Sequence, residues 1–319
     1  MSFQDIKGQD KALNILEGYI EQSRLGGSYL FVGAEGVGKK LVAKTLAKAL
    51  NCQTKTLDSC DECASCIKIE KNQHPDIHII ETGDSEIKIE YIRQLQREIN
   101  LKPYEAKIKV FIIDNAHNLT AEAANALLKI LEEPPGNSLI ILLTDKPALL
   151  FKTIISRCNL LKFLPLTRER LKEMLKKDYH LDNNIAHFLA YFSEGRLGRA
   201  LRLKDAEILK EKNRIIDKFA LSPNLNLESL AIKNKEDVRG YLNILASWFR
   251  DIYLVKIGMS HCEIINFDRK DELLKSMSHF SFLDLNEILY SISDSLLYLE
   301  QNINIKLLLY NLGAQVWKG

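Results

Sequence analysis

The sequence predicts an α/β domain with a parallel sheet, followed by a region made only of helices. Up to about residue 165, short apolar runs alternate with segments of helical periodicity, which is typical of parallel strands covered by helices on both faces. Beyond that point the apolar residues recur at helical spacing. The chain has 319 residues, 46% of them hydrophobic, and is long enough for a sizeable core.

The charge balance limits the class of protein. The chain has 44 Lys and Arg against 42 Asp and Glu, a formal net charge of +2. This excludes the overall basic field of a protein that coats DNA, so nucleic-acid contacts would come from a local patch. No apolar run approaches the roughly 20 residues of a membrane span, and residues 1–7 lack a signal-peptide pattern. We therefore expect a soluble, cytoplasmic protein without membrane partners.

The first predicted strand leads into a glycine-rich loop. Residues 28–32 read SYLFV, and from residue 38 the apolar positions follow helical spacing. Between them, GAEGVGKK at 33–40 has the spacing of a phosphate-binding loop, for which a loop that only turns the chain is the alternative. The phosphates would lie at the positive end of the following helix. The positions concerned are Gly33, Gly36, Gly38, Lys39 and Lys40.

Lys40 departs from the phosphate-binding pattern. In a working loop this position carries Ser or Thr, whose oxygen helps to hold Mg²⁺. Lysine has no acceptor atom and does not ligate the metal. We therefore expect a loop that can hold ATP or ADP with weak or absent turnover.

A cluster of cysteines follows the loop. Four of the six cysteines lie close together in the sequence: Cys52, Cys60, Cys63 and Cys66. This set of four thiolates matches the tetrahedral site that structural Zn²⁺ prefers. An iron–sulfur cluster, His74 as a substitute ligand, or reduced cysteines in a loop are the alternatives. The remaining two, Cys158 and Cys262, are expected to be ordinary buried thiols.

A second apolar strand ends in a carboxylate. Residues 109–113 read KVFII and are followed by Asp114, which would lie where Mg²⁺ binds at the carboxyl edge of an open α/β sheet. The next residue normally activates the attacking water, but here it is Asn115, whose neutral amide does not accept the proton. The position that holds the metal ion and the position that activates water are thus both altered.

The elements that follow complete the predicted sheet. Thr120 caps a helix that ends at Pro134-Pro135. A strand at 139–144 brings the hydroxyl of Thr144 to the nucleotide edge, and a last strand is expected at 160–163. Helices then begin at 167, 185 and 195, and residues 241–257 carry an apolar face typical of a helix bundle. The nearest to a loop-rich break lies at 222–226.

These motifs together resemble a known family. The run FQDIKGQ at 3–9, the loop at 33–40, the cysteine insert, HPD at 74–76, ANALLK and LEEPP within 124–135, and SRC at 156–158 are similar to the clamp-loader subunits of bacterial DNA polymerase III, of the AAA+ class. The delta-prime type is the most similar. The resemblance is dense over residues 1–165 and thinner beyond.

The resemblance implies a domain plan. An AAA+ (RecA-like) P-loop domain would span 1–165 with a zinc-binding insert at 52–66, a helical lid 166–205, and an all-α collar 206–319 that holds subunits together. It also implies a role in loading a sliding clamp onto primer-template DNA during replication, within the nucleotidyltransferase complex of the polymerase. The partners would be the tau/gamma and delta subunits of a hetero-pentamer.

The resemblance assigns roles to two arginines. Arg157, in the SRC triplet, would be an arginine finger that points at the nucleotide of a neighbouring subunit, where a permanent charge stabilises phosphoryl transfer. Arg199 would be a sensor 2 residue that contacts phosphate. For Arg157 the alternative is a surface arginine that caps the end of its helix or pairs with a local carboxylate, and for Arg199 it is a solvated arginine in the first turn of a helix.

Two other functions compete with a non-hydrolysing subunit. A motor ATPase of the tau/gamma type, or another AAA+ ATPase, is one, but Lys40 and Asn115 argue against it. A zinc-bearing DNA-binding protein with a relic loop is the other, and the near-neutral charge argues against that.

Overall fold

The computed structural model describes residues 1–22, 25–54, 57–221, 235–259, 264–299, 301 and 304–316. Cys262 and the break expected at 222–226 lie outside these residues. The chain divides into two compact units. The first comprises Met1–Thr167 and Glu194–Arg199, and the second comprises Arg168–Ser193 and Ala200–Gly319.

The first unit is an α/β layer structure. Its strands are β1 Gly27–Val32, β2 Ile77–Ile80, β3 Lys109–Ile113, β4 Ser138–Thr144 and β5 Asn159–Lys162. The helices up to residue 155 are α1 Asp10–Glu21, α2 Lys39–Asn51, α3 Ala64–Glu70, α4 Ile89–Ile99, α5 Ala121–Glu132 and the one-turn α6 Lys152–Ile155. Strand and helix alternate through most of the unit, as the sequence predicts.

The five strands form one parallel sheet in the order β2-β3-β4-β1-β5. The predicted parallel sheet is therefore confirmed. β4 lies between β1 and β3 and pairs Val32 with Thr144 and Ile113 with Leu142. Because all strands run in the same direction, the loops after β1, β2, β3 and β4 lie at one edge of the sheet, where α/β proteins bind ligands.

Both faces of the sheet are buried, and alternate residues of each strand serve different faces. In β4, Leu139 and Ile141 pack with α1 and α2, whereas Ile140 and Leu142 pack with α4 and α5. All seven residues of β4 are buried. A central strand covered on both faces reads as a continuous apolar run, which explains why SLIILLT predicted it so clearly.

The second unit is helical throughout its described residues. The helices from residue 168 onward are α7 Arg168–Lys177, α8 Asn183–Phe192, α9 Leu197–Asp205, α10 Ile208–Ile215, α11 Lys235–Lys256, α12 Lys270–Met277, α13 Phe282–Tyr298 and α14 Ile305–Val316. Its core surrounds Trp248 of α11, which is completely buried with residues of α13 and α14. Among the described helices, none is both long and apolar enough to cross a membrane.

Candidate nucleotide-binding and metal-binding sites

The glycine-rich loop joins β1 to α2 as predicted, and its glycines are required by its geometry. Gly38 precedes α2 with φ of 102°, a conformation that favours glycine. A Cβ atom on Gly33 would lie 2.4 Å from the carbonyl oxygen of Phe163. The loop therefore turns sharply from the end of β1 into the first turn of α2.

Lys39 is held within this loop. Its side chain is buried, and Nζ donates hydrogen bonds to the carbonyl oxygens of Gly33 at 2.6 Å and Ala34 at 3.0 Å. Burial lowers the pKa of Lys39, and the nearby carboxylates of Asp145 and Asp114 partly oppose that effect. The ammonium of Lys39 is therefore bound to carbonyl oxygens of its own loop.

Lys40 lies between two carboxylates at the edge of the sheet. Its Nζ forms an ion pair with Oε2 of Glu81 and lies 3.5 Å from Oδ2 of Asp114. Glu81 directly follows β2 and Asp114 directly follows β3. The structure therefore brings Lys40 and Asp114 together, and it adds a residue that the sequence analysis missed. The run IHII before Glu81 has the same form as the apolar strand before Asp114, and it was the available signal.

Asn115 is held by the neighbouring loop. Its backbone N–H donates to Oδ1 of Asp114 at 3.0 Å, and its side-chain Nδ2 donates to the carbonyl oxygen of Gly83 at 3.1 Å. Its φ of 50° lies in the left-handed region that asparagine tolerates. The residue after the strand carboxylate is therefore a structural amide in a tight turn.

Thr144 ends β4 and contacts His117, a second residue that the sequence analysis did not select. The two side chains approach at 3.1 Å between Oγ1 of Thr144 and Nδ1 of His117, and the backbone N–H of Lys146 donates to the same Oγ1 at 3.0 Å. Nδ1 of His117 also lies 3.5 Å from Oδ1 of Asp145. Burial lowers the pKa of His117, so it is mainly neutral at pH 7.

The first turn of α9 contacts the glycine-rich loop. The backbone N–H of Gly198 donates to the carbonyl oxygen of Gly36 at 2.9 Å, and a Cβ atom on Gly198 would meet that oxygen at 2.9 Å. Arg199 is the next residue, and its NH1 lies 3.2 Å from Oε1 of Glu194. The structure thus places the residue next to Arg199 against the loop and pairs the guanidinium of Arg199 with a carboxylate.

Arg157 follows α6 and forms local contacts. Its Nε donates to Oε1 of Glu132 at 2.8 Å, and its NH1 donates to the carbonyl oxygen of Thr153 at 3.0 Å. One third of its side chain is exposed. The pair with Glu132 matches the alternative given above for Arg157, a surface arginine paired with a local carboxylate.

The four clustered cysteines meet as the sequence predicts. The sulfur atoms of Cys52, Cys60, Cys63 and Cys66 all lie within 4.8 Å of one another. Zn–S bonds of about 2.3 Å in a tetrahedron require S···S separations of about 3.8 Å, so the set fits a tetrahedral metal with small adjustments. The backbone N–H of Cys63 donates to Sγ of Cys60 at 3.3 Å, and that of Cys66 donates to Sγ of Cys63 at 3.5 Å.

The environment of the sulfur atoms differs across the cluster. Hydrogen bonds, first from Thr54 and then from the backbone, lower the pKa of Cys60, whereas burial raises the pKa of Cys66 to about 12. His74 is not part of the group of ligand atoms. Its Nδ1 accepts a hydrogen bond from the backbone of Asp76 at 3.2 Å, and its Nε2 lies 3.6 Å from Glu105.

A buried lysine fastens the cysteine-bearing insert to α2. Lys48 of α2 is 1% exposed, and its Nζ lies 2.6 Å from Asp61 and 3.0 Å from Glu70. Asp61 lies between Cys60 and Cys63, and Glu70 ends α3. The helix that follows the glycine-rich loop therefore also supports the candidate metal site.

The chain is similar to known replication proteins over most of its length. Residues 8–167 match the family model described as DNA polymerase III, delta subunit, and residues 206–314 match the one described as DNA polymerase III, delta subunit, C terminal. The DNA polymerase III subunit delta' of Bacillus subtilis is 32% identical over 262 residues, which cover 78% of each chain.

More distant similarities extend to longer proteins. The DNA polymerase III subunit tau of Bacillus subtilis is 30% identical over 305 residues, or 86% of this chain and 54% of the relative. The chain thus spans about half the length of this tau protein. Among solved structures, the chain resembles a gamma subunit-related protein of DNA polymerase III from Thermotoga maritima. The TM-score is 0.49 at 19% identity, and the alignment covers 96% of this chain and 99% of that protein. A likeness of that degree supports no conclusion about function.

Proposed function

Because the chain belongs to the delta-subunit family of DNA polymerase III and is a clamp-loader subunit, we propose that it is a delta-prime-like component that does not hydrolyse ATP itself. Its partners would be the tau/gamma and delta subunits of a hetero-pentamer, the sliding clamp and primer-template DNA, in the cytoplasm. It would hold ATP or ADP in the loop at 33–40 and assist hydrolysis by a neighbour.

The observation that supports the absence of turnover is the position of Lys40. A phosphoryl-transfer site needs an oxygen ligand for Mg²⁺ at this position and a base or water-positioning group after the strand carboxylate. Lys40 offers no lone pair and pairs with Glu81 and Asp114. The amide of Asn115 is engaged with Gly83. The same two features argue against a motor of the tau/gamma type.

We assign Arg157 the role of an arginine finger for the adjacent subunit. Its pair with Glu132 is exposed, and such ion pairs are weak, typically about 0–1 kcal/mol. The γ-phosphate of a neighbouring nucleotide carries more charge than one carboxylate and competes for the guanidinium. The pairing seen in this chain therefore leaves Arg157 available to a partner.

Zinc is the metal that we propose for the cysteine cluster. Four sulfur ligands with no position left for water are typical of structural zinc sites. Cys52 and Cys66 are buried, and the backbone hydrogen bonds to Cys60 and Cys63 satisfy thiolate sulfurs. The site would stabilise residues 52–66.

A reconstituted clamp loader tests the proposed function. Wild type and Arg157→Ala are each assembled with tau/gamma and delta, and ATP hydrolysis is measured with the sliding clamp and primed DNA. We expect Arg157→Ala to assemble normally and to lower stimulated hydrolysis by at least about tenfold, since arginine fingers contribute up to several orders of magnitude. Lys152→Ala on α6, which removes an exposed charge nearby, is the matched control.

Two outcomes would contradict the proposal. Equal hydrolysis by the Arg157→Ala and Lys152→Ala loaders would remove the assigned role of Arg157. Efficient clamp loading by a complex that lacks this chain would remove the proposed function as a whole.

A further inference from the structure

An ammonium group occupies the region where P-loop proteins hold a divalent ion. Lys40 lies in the first turn of α2. Its Nζ lies between the carboxylates of Glu81, which follows β2, and Asp114, which follows β3. The side chain of Asp114 is 19% exposed, and those of Lys40 and Glu81 are 38% and 56% exposed. Three elements thus converge on one cation that belongs to the chain itself.

These residues do not fit Mg²⁺. The ion requires oxygen ligands at about 2.0–2.1 Å in near-ideal octahedral geometry. Lys40 supplies a positive charge and no lone pair where an oxygen ligand is needed. Glu81 and Asp114 are the carboxylates that contact Lys40, and both already pair with its ammonium. A divalent ion would have to displace Lys40 from them and remain beside a like charge.

We propose that Lys40 is a built-in substitute for the divalent cation, so that the loop holds a nucleoside di- or triphosphate free of Mg²⁺. This inference rests on the proposed function only in that the loop holds a nucleotide without turning it over. In ordinary P-loop proteins the metal ion bridges phosphate oxygens and neutralises their charge. Here the neutralising charge is covalently attached and is always present.

The geometry of the loop supports a phosphate shared between two lysines. Lys39 and Lys40 are consecutive, and both lie at the N-terminus of α2, where the helix adds partial positive charge. A lysine ammonium has three donors on a flexible stem, so Lys40 can donate to a phosphate oxygen while it keeps a carboxylate partner. Free nucleotide carries more negative charge than its magnesium complex, and Lys40, by offsetting the charges of Glu81 and Asp114, reduces their repulsion of the free form.

Nucleotide binding with and without metal tests this inference on the full chain. Fluorescently labelled ADP is titrated at constant ionic strength, once with EDTA and once with excess MgCl₂, and unlabelled ADP is used in competition. For the wild type we expect binding in EDTA to be as tight as binding with Mg²⁺, within about threefold, or tighter, because screening is held constant and the chain supplies the cation.

Two variants identify the cation responsible. Lys40→Thr restores the hydroxyl of the ordinary motif, and we expect Mg²⁺ to tighten its ADP binding by about tenfold or more. Lys44→Thr makes the same exchange one turn further along α2, at a lysine whose Nζ pairs with Glu70, and should keep the wild-type response. Lys39→Ala should lose binding under both conditions.

The outcomes separate this inference from the proposed function. Tenfold tighter binding of ADP to the wild type with Mg²⁺ would overturn the inference, and so would the absence of ADP binding under both conditions. Neither result touches the role in the clamp loader, which the reconstitution with Arg157→Ala tests. The wild-type titration requires no variant, so a folding defect in Lys40→Thr does not weaken the test.

Discussion

Single residues decide whether this site performs chemistry. Lys40 and Asn115 stand at the positions where hydrolysing P-loop proteins carry a metal ligand and a water-activating residue. The first pairs with two carboxylates and the second with a backbone carbonyl. Both side chains therefore have structural partners in this chain, and the absence of turnover that we propose would follow from these contacts.

Restoring both residues should restore part of the chemistry. We expect the isolated wild-type chain to show negligible ATP turnover and Lys40→Thr/Asn115→Glu to exceed it by about a hundredfold, since a positioned general base contributes roughly that much or more. A phosphate-release assay under saturating ATP and Mg²⁺ measures this. Equal and substantial turnover by both proteins would favour the motor interpretation.

Glu132 separates the local pairing of Arg157 from its proposed role toward a neighbour. Glu132→Gln should lower the free energy of unfolding by less than about 1 kcal/mol, because the ion pair is exposed. It should leave the stimulated hydrolysis of the reconstituted loader intact, since Arg157 itself is retained. Thermal denaturation and the loader assay measure the two effects. A loss of hydrolysis as large as that of Arg157→Ala would show that the pair acts as a unit.

At the scale of elements, a buried carboxylate ties a loop to the sheet. Asp76, just before β2, is 2% exposed and accepts hydrogen bonds of 2.8 Å from the backbone N–H groups of Tyr104, Glu105 and Ala106. Burial alone would raise the pKa of Asp76, but these hydrogen bonds and Lys109 outweigh it and hold the pKa below its ordinary value of 3.8. The charged form is therefore stabilised by folding.

Asp76 consequently contributes to stability in a pH-dependent way. A lowered pKa in the folded state makes its contribution complete above about pH 4 and lost as the pH falls through the folded pKa. We expect Asp76→Asn to lower the free energy of unfolding by about 2–4 kcal/mol at pH 7, since hydrogen bonds to charged groups are strong. Urea unfolding at pH 7 and pH 3 checks this, and the difference should shrink at pH 3. The exposed Asp84→Asn is the control, and an equal effect there would contradict this account.

The zinc that we propose for the cysteine cluster can be measured directly. We expect about one equivalent of zinc per chain by elemental analysis, lost in Cys63→Ser/Cys66→Ser because two of four ligands are removed. Cys158→Ser should keep the metal, since Cys158 lies outside the ligand group. A chain that is purified under reducing conditions and contains no metal would contradict the zinc assignment.

Some elements were predictable from the sequence and others were not. The apolar run of β4 and the capped helix α5 are strong local signals, and the structure confirms both. β2 has four residues, one of them a histidine whose ring stacks on Phe111 at 4.8 Å between centroids. A histidine within four residues weakens the apolar pattern that indicates a strand. Its stacking partner, Phe111, lies far along the chain, so the sequence gives no sign that the histidine is packed in the sheet. Missing β2 also meant missing Glu81.

Some features of the candidate site were likewise predictable from the sequence, and others were not. Residue types and spacing were sufficient to predict the cysteine group and the meeting of the loop with Asp114, because these depend on local motifs and on the common edge of a parallel sheet. The contact of Gly198 with Gly36 and the pairing of Lys40 with Glu81 join segments far apart in the chain. Such contacts are set by tertiary packing, which a single sequence does not reveal.

At the scale of the whole molecule, the chain is a part of a larger assembly. The family models match both the α/β region and the helical region, so membership in the family does not rest on the glycine-rich loop alone. The domain plan of 1–165, 166–205 and 206–319 stays a prediction. A subunit that does not hydrolyse ATP, as we propose for this chain, has a role only where its partners supply the motor.

Assembly is the corresponding measurement. We expect the chain, mixed with tau/gamma and delta subunits, to enter a complex that contains one copy of it, by native mass spectrometry and size-exclusion chromatography. The Lys40→Thr chain should enter the same complex, since its change concerns nucleotide and metal only. A chain that elutes alone from the mixture would contradict its proposed place among five subunits.

The buried ammonium of Lys48 has a consequence for how damage would spread through the protein. It bridges Asp61, which lies between two of the candidate zinc ligands, and Glu70, which follows them, while its own backbone belongs to α2. Chelation that loosened the insert would remove both carboxylates and leave the buried ammonium with the carbonyl oxygen of Met1, a costly state. Amide protons of α2 should then exchange faster with deuterium, so oxidation or chelation of the cysteines would also loosen the helix that follows the glycine-rich loop.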